Sequence, residues 1–248
     1  MKPNFFKTPI DEALIPQKFT FTPQILSILA AKELQAYLKN QTDWEHNFGL
    51  ENNQEGTIIG KMFGVLIVKT LKNEIGYLAA FSGKLSDKNL FTQFVPPVFD
   101  TLAEDSFLSE GMKELTQMSQ EIRRLTELHS ETLAAQIQSL KKKRRNYSID
   151  LQHQLFEHYH FLNQAGEEKS LIAIFKDTGY KNPPAGAGEC AAPKLLQYAF
   201  QNQLKPVALT EFWWGQSPKS VTWKHGQFYA PCKEKCEPIL KHMLKGII

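Results

Sequence analysis

Residues 109–145 contain no proline and a single glycine, Gly111, and this unbroken stretch constrains the fold more than any other feature of the chain. A run of that length without a breaker reads as helix. Along it Leu115, Met118, Ile122, Leu125, Leu133, Ile137 and Leu140 fall on a heptad-like seam, with His129 standing at the one gap. His129 is expected either as a polar contact within the seam or as a stutter in its register. The stretch closes on Lys141, Lys142, Lys143, Arg144 and Arg145, read as a solvated helix end. Leu151, Leu155, Phe156, Tyr159 and Leu162 then resume a helical stripe that Gly166 can terminate, as an antiparallel hairpin or a packed return helix. Residues 106–164 are therefore expected to form a helical, coiled-coil-like arm, a candidate for homodimer formation. The arm interrupts one discontinuous domain made of residues 1–105 and 165–248.

The flanking segments carry a different pattern. Pro23 can open a helix with apolar residues at Ile25, Leu26, Leu29, Ala30, Leu34 and Leu38. Met62 to Thr70 and Ile75 to Ser82 are short apolar runs around a polar tip, the pattern of a hairpin. Leu171 to Phe175 is an apolar turn, and a helical pattern follows Cys190 as far as Phe200. Pro206 to Trp214 reads as a third strand, and Cys232 to Leu244 as a short helix with Pro238 in its first turn or at a kink. The fold class is α/β, a small mixed sheet with flanking helices. No apolar run approaches the roughly 18 residues of a membrane span, and Asp11, Glu12 and Pro16 occupy the place of a signal-peptide core. A cytoplasmic protein with reduced thiols is expected.

Three cysteines are too few and too odd in number for a disulfide scaffold. Cys190 stands at the start of one expected helix and Cys232 and Cys236 at the start of another, so the three sulfurs are candidates to converge. Helix N-termini favour thiolates, and three thiolates plus water would make an open tetrahedral Zn2+ site. Core or surface thiols are the competing reading.

The order of elements, helix, two strands, cysteine-bearing helix, strand, Pro-Cys-bearing helix, resembles the cytidine-deaminase-like fold. That resemblance implies zinc, a water activated by it, and a glutamate that carries protons. Cys190-Ala191-Ala192 is similar to the first deaminase motif, with Ala192 where the glutamate belongs. Pro231-Cys232 and Cys236 are similar to the second, with one extra residue between the cysteines. A zinc-dependent nucleobase hydrolase is thus an alternative rather than the leading expectation, and a coiled-coil adaptor is another.

A second resemblance covers most of the chain. Its densest part is Pro183-Pro184-Ala185-Gly186-Ala187-Gly188-Glu189-Cys190-Ala191-Ala192-Pro193-Lys194-Leu195-Leu196, with Glu211-Phe212-Trp213-Trp214-Gly215, Lys224-His225-Gly226-Gln227-Phe228-Tyr229 and Cys236-Glu237-Pro238-Ile239-Leu240. Gly60 to Leu66, Phe81 to Leu85 and Phe94 to Asp100 add to it. These segments resemble the N-terminal extension that precedes the catalytic domain in a subgroup of bacterial RluA-family pseudouridine synthases. The resemblance implies association with RNA modification, on rRNA or tRNA, beside a synthase catalytic domain in cis or in trans. The Arg-Leu-Asp signature of that catalytic domain does not occur in these 248 residues, so no catalytic residue is assigned.

The net charge of +3 is too small to identify a nucleic-acid partner, so any RNA surface must be local. Two candidates exist. One is the basic run Lys141, Lys142, Lys143, Arg144 and Arg145, since clustered cations release counterions from phosphate. The other groups Trp214, Lys219, Lys224 and His225 with Trp213, Trp223, Phe228 and Tyr229, where aromatic faces and interleaved cations suit single-stranded RNA. Strand alternation predicts that one of Trp213 and Trp214 is buried and the other accessible.

Overall fold

The computed structural model describes residues 2–6, 10–51, 55–103, 106–129, 131–176, 178–180, 182–218 and 221–247. It divides into two compact units, one of residues 1–98 and 160–248, the other Phe99–Tyr159.

The larger unit is built on a sheet of five strands in the order β1-β3-β2-β6-β7: β1 (Asn4–Phe5), β2 (Lys61–Lys69), β3 (Ile75–Phe81), β6 (Lys205–Trp214) and β7 (Phe228–Tyr229). Every strand pairing in it is antiparallel. This corrects the expected mixed sheet: β1, β2 and β7 run one way and β3 and β6 the other, alternating across the sheet, so no two strands of the same direction pair. An isolated parallel bridge, Thr20 to Ala208, sits beside it.

Both faces of the sheet are covered, which is why β2 and β6 read as near-continuous apolar runs instead of alternating ones. Phe63, Val65, Ile67, Ala79, Phe81, Ala208 and Phe212 form one core with Leu26, Ala30 and Leu34 of α1 (Ile25–Asn40). A buried hydrogen bond from Thr210 Oγ1 to Ser27 Oγ at 2.8 Å ties α1 to β6. The opposite face receives α5 (Ala191–Gln201), which approaches β2 at Gly64. A Cβ there would meet Ala191 Cβ and Leu195 Cδ1 at 3.1 Å, so a side chain would push α5 off the sheet.

The short strands β4 (His160–Leu162) and β5 (Glu168–Ser170) make a separate antiparallel pair, followed by α4 (Leu171–Lys176); α6 (Glu237–Met243) closes the unit. The helical stripe expected to run through Leu162 therefore stops at Glu157, and the apolar turn at 171–175 is a helix. Asn163 explains the first difference. Its side chain accepts from the backbone N–H groups of Ala165 and Glu167 and so closes a tight β4–β5 turn around Gly166.

The smaller unit is a helical hairpin of α2 (Phe107–Glu127) and α3 (Ala134–Glu157). The continuous seam is not observed. His129 adopts a left-handed φ of 46°, which ends α2, and a single 3-10 turn, Glu131–Leu133, leads into α3. Leu115 and Leu125 are consequently buried inside the hairpin and not displayed along one rod. Gly111 now has a reason: a Cβ there would lie 2.6 Å from Leu151 Cδ1, so the glycine permits α2 and α3 to cross closely. Among the described residues, no helix is long and apolar enough to cross a membrane.

Candidate metal centre

Cys190 caps the N-terminus of α5 and Cys236 that of α6. The loop before Cys190 turns twice through left-handed glycines, Gly186 at φ 75° and Gly188 at φ 92°, conformations a side chain would strain. Pro193 and Pro238 lie in the first turns of their helices, where a missing N–H leaves no intrahelical carbonyl unpaired. The segment before α6 folds back so that Cys232 O accepts from both Cys236 N and Glu237 N, at 3.3 and 3.1 Å, which places the two thiols one turn apart.

The three sulfurs lie within 4.8 Å of one another, and Cys232 Sγ and Cys236 Sγ are 3.4 Å apart. Around a tetrahedral zinc with bonds of about 2.3 Å, sulfurs are separated by about 3.8 Å, so the trio matches a zinc-sized hole. Cys236 is buried, whereas Cys190 and Cys232 are partly exposed, which leaves an approach from solvent. Thiol hydrogen bonds from Cys190 and Cys236 push the Cys232 thiol far down, helped by the backbone N–H groups of Lys235 and Cys236. Hydrogen bonds with Cys190 and then Cys232, together with burial, push Cys236 up; the bond with Cys232 raises Cys190, against an opposing bond with Cys236. The trio thus places three sulfur donors within reach of one cation, whose binding would deprotonate them.

Two buried ionisable side chains flank this centre; both fall within the resemblance segments quoted above, but neither is singled out there as a site residue. Glu211 on β6 faces α5, is 4% exposed, and accepts from Ala192 N at 3.1 Å through Oε1. Burial, and then the Cys232 charge, push its carboxyl up to about 8, against a partial opposing effect of the Ala192 hydrogen bond. Ala192 is the position where the deaminase motif would have glutamate. A carboxylic acid therefore reaches the start of α5 from the neighbouring strand instead. Lys194, 3% exposed, donates to Phe81 O and Gly83 O, both at 3.0 Å, and burial brings its ammonium down to about 8.

The residues expected to meet RNA scatter over both units. In the smaller unit Lys141, Lys142, Lys143, Arg144 and Arg145 are all exposed, in the middle of α3 and not at a helix end. Arg144 Nε donates to Ser119 Oγ of α2 at 2.7 Å. In the larger unit Trp214 is the buried member of its pair, 7% exposed, with its ring against Phe212 and His225. Trp213 is the accessible one: its ring stacks on Trp223 at 6.0 Å, and Trp223 meets Tyr229 edge-on at 4.6 Å. Alternation predicted the split, but Phe212 and Trp214 share the face that packs on α1. Lys224 is exposed, and His225 Nδ1 accepts from Gly215 N at 3.1 Å. Lys219 lies outside the described residues.

No protein family, curated protein or solved structure matches the chain.

Proposed function

We propose that this chain is a noncatalytic RNA-associating module of the RluA-type pseudouridine synthase kind, with zinc on Cys190, Cys232 and Cys236 fixing the join between α5 and α6. One observation carries the reading. Three of the four segments with the densest resemblance, 183–196, 211–215 and Cys232 with 236–240, are far apart in the chain yet supply the three sulfurs, Glu211 and both helix starts of one centre. Their convergence supports reading these segments as parts of one functional unit. RNA contact draws support from the exposed cations of α3 and from the Trp213, Trp223 and Tyr229 cluster beside Lys224. Pseudouridine chemistry belongs to a catalytic domain with the Arg-Leu-Asp signature, joined to the module or recruited by it. Anisotropy titration of rRNA or tRNA fragments at several salt concentrations tests the reading. Binding that weakens steeply with salt supports it, and no binding at low salt ends it.

Glu211 favours a second reading, a zinc-dependent nucleobase hydrolase. The sheet order β3-β2-β6, with the cysteine-bearing helix packed behind it, is compatible with the deaminase-like layout. Zinc would supply an activated water. Burial holds the Glu211 carboxyl well above the usual carboxylate range in the metal-free protein, which places an acid beside the sulfurs. Ammonia release from cytidine or adenosine by zinc-loaded protein would favour this reading over the first, and its absence would retire it.

A further inference from the structure

A second concavity of the larger unit, separate from the cysteines, has a volume of about 590 Å³ and is walled by Leu38, Trp44, Phe48, Trp214 and His225. Its aromatic walls are held in place. Gln41 Oε1 accepts from the N–H groups of Asp43 and Trp44, Gln41 Nε2 donates to Trp44 O, and Trp44 Nε1 donates to Tyr37 Oη at 3.2 Å. With its N–H tied back and its ring packed against Phe48 and Phe91 at 6.2 and 5.5 Å, Trp44 offers the pocket its remaining exposed ring surface. The Trp214 and His225 rings meet at 4.4 Å on the other side. The Gly215 N–H can only donate, so His225 Nδ1 accepts and the neutral ring carries its proton on Nε2. The pocket therefore combines flat apolar walls with a ring N–H donor.

The charges around it narrow the ligand. Lys39 is accompanied by Glu45 and Glu51, so a phosphate would meet two carboxylates for one cation. The volume lies within the ordinary range for small-molecule sites. We infer that this pocket takes a flat, uncharged heterocycle, the base of an unpaired nucleotide, stacked on Trp44 and hydrogen-bonded by His225. The inference rests on the RNA-associating reading and names the part of the RNA that would be held.

Two titrations test it separately from that reading. In NMR titrations of the full chain with uridine, cytidine and adenosine, the pocket account expects shifts at the Trp44 and Trp214 indole N–H groups for at least one nucleoside. Trp44→Ala is expected to weaken binding of a single-stranded RNA oligonucleotide about tenfold, while leaving the salt dependence unchanged because every phosphate keeps its cation. Leu50→Trp, at a pocket residue that is 44% exposed, narrows the pocket without touching the core and is expected to act in the same direction. Wild-type RNA affinity in both variants would overturn the inference. So would shifts produced by tetramethylammonium and by none of the nucleosides. If the wild-type chain binds no RNA, the functional reading fails, and the nucleoside titration still decides the pocket: shifts sustain it and their absence refutes it.

Discussion

Replacing Glu211 with glutamine exchanges the carboxyl O–H for an amide NH2 at almost no change in volume and removes the ionisation, which isolates the cost of ionising a carboxyl inside the fold. Glutamine can keep accepting from Ala192 N with its own Oε1, so below pH 5 the variant and the parent should be nearly equally stable. The folded carboxyl titrates at about 8 and the ordinary value is 4.5. An acid raised in this way contributes its full stability below the unfolded pKa and loses it progressively as pH climbs through the folded one. The interval between those two values, at about 1.4 kcal/mol per pH unit, gives an upper limit of about 5 kcal/mol lost by the parent above pH 8. Urea unfolding of metal-free, reduced protein at pH 5, 6.5 and 8.5 measures it. The Glu211→Gln variant should gain on the parent by several kcal/mol across that window, part of the gain coming through the thiols, whose titration is coupled to Glu211. Parallel pH profiles would refute the claim that a buried, protonated acid sits beside the cysteines.

Three further outcomes follow from packing and charge. Gly111→Val drives a branched side chain into Leu151 and should cost about 1–3 kcal/mol, seen as faster amide exchange in α2 and α3 with the larger unit unaffected. Trp214→Ala empties a core position and should lower unfolding free energy by about 3–5 kcal/mol, whereas Trp213→Ala should cost far less. The triple change Lys141→Glu, Lys142→Glu and Lys143→Glu lies on an exposed surface, so melting should not move. It should weaken RNA binding and flatten its salt dependence, by about 0.7–0.9 in the log–log slope for each phosphate no longer neutralised.

The central strands were legible because their signal is strong and local, and the meeting of the three cysteines was legible from a weaker one. β2, β3 and β6 are short runs of apolar residues, and Cys232 and Cys236 sit one helical turn apart next to a proline that marks a helix start. The gap in the seam at His129 was legible, but not that it breaks the stretch into α2 and α3. Apolar residues recur at helical spacing on both sides of it, and the signal that ends α2 is a left-handed His129, a conformation that histidine adopts without announcing it in sequence. β4 and β5 escaped because each is three residues long and flanks a turn fixed by one asparagine side chain. Glu211 was missed for a different reason. A glutamate inside an aromatic strand reads as an outward-facing residue until both sheet faces are known to be covered, and only then must the charge be neutralised or paired. The choice between Trp213 and Trp214 needed the same knowledge, since alternation fixes that they differ and not which of them meets α1.

Metal content of protein purified under reducing conditions without added metal tests the central claim most directly. One zinc per chain is expected, falling toward zero in Cys190→Ser, Cys232→Ser and Cys236→Ser alike, with the melting temperature of the parent lowered by chelation to that of the variants. Parent protein free of zinc and unable to take it up under reducing conditions, or zinc retained in full when any one of the three cysteines is replaced, would contradict it.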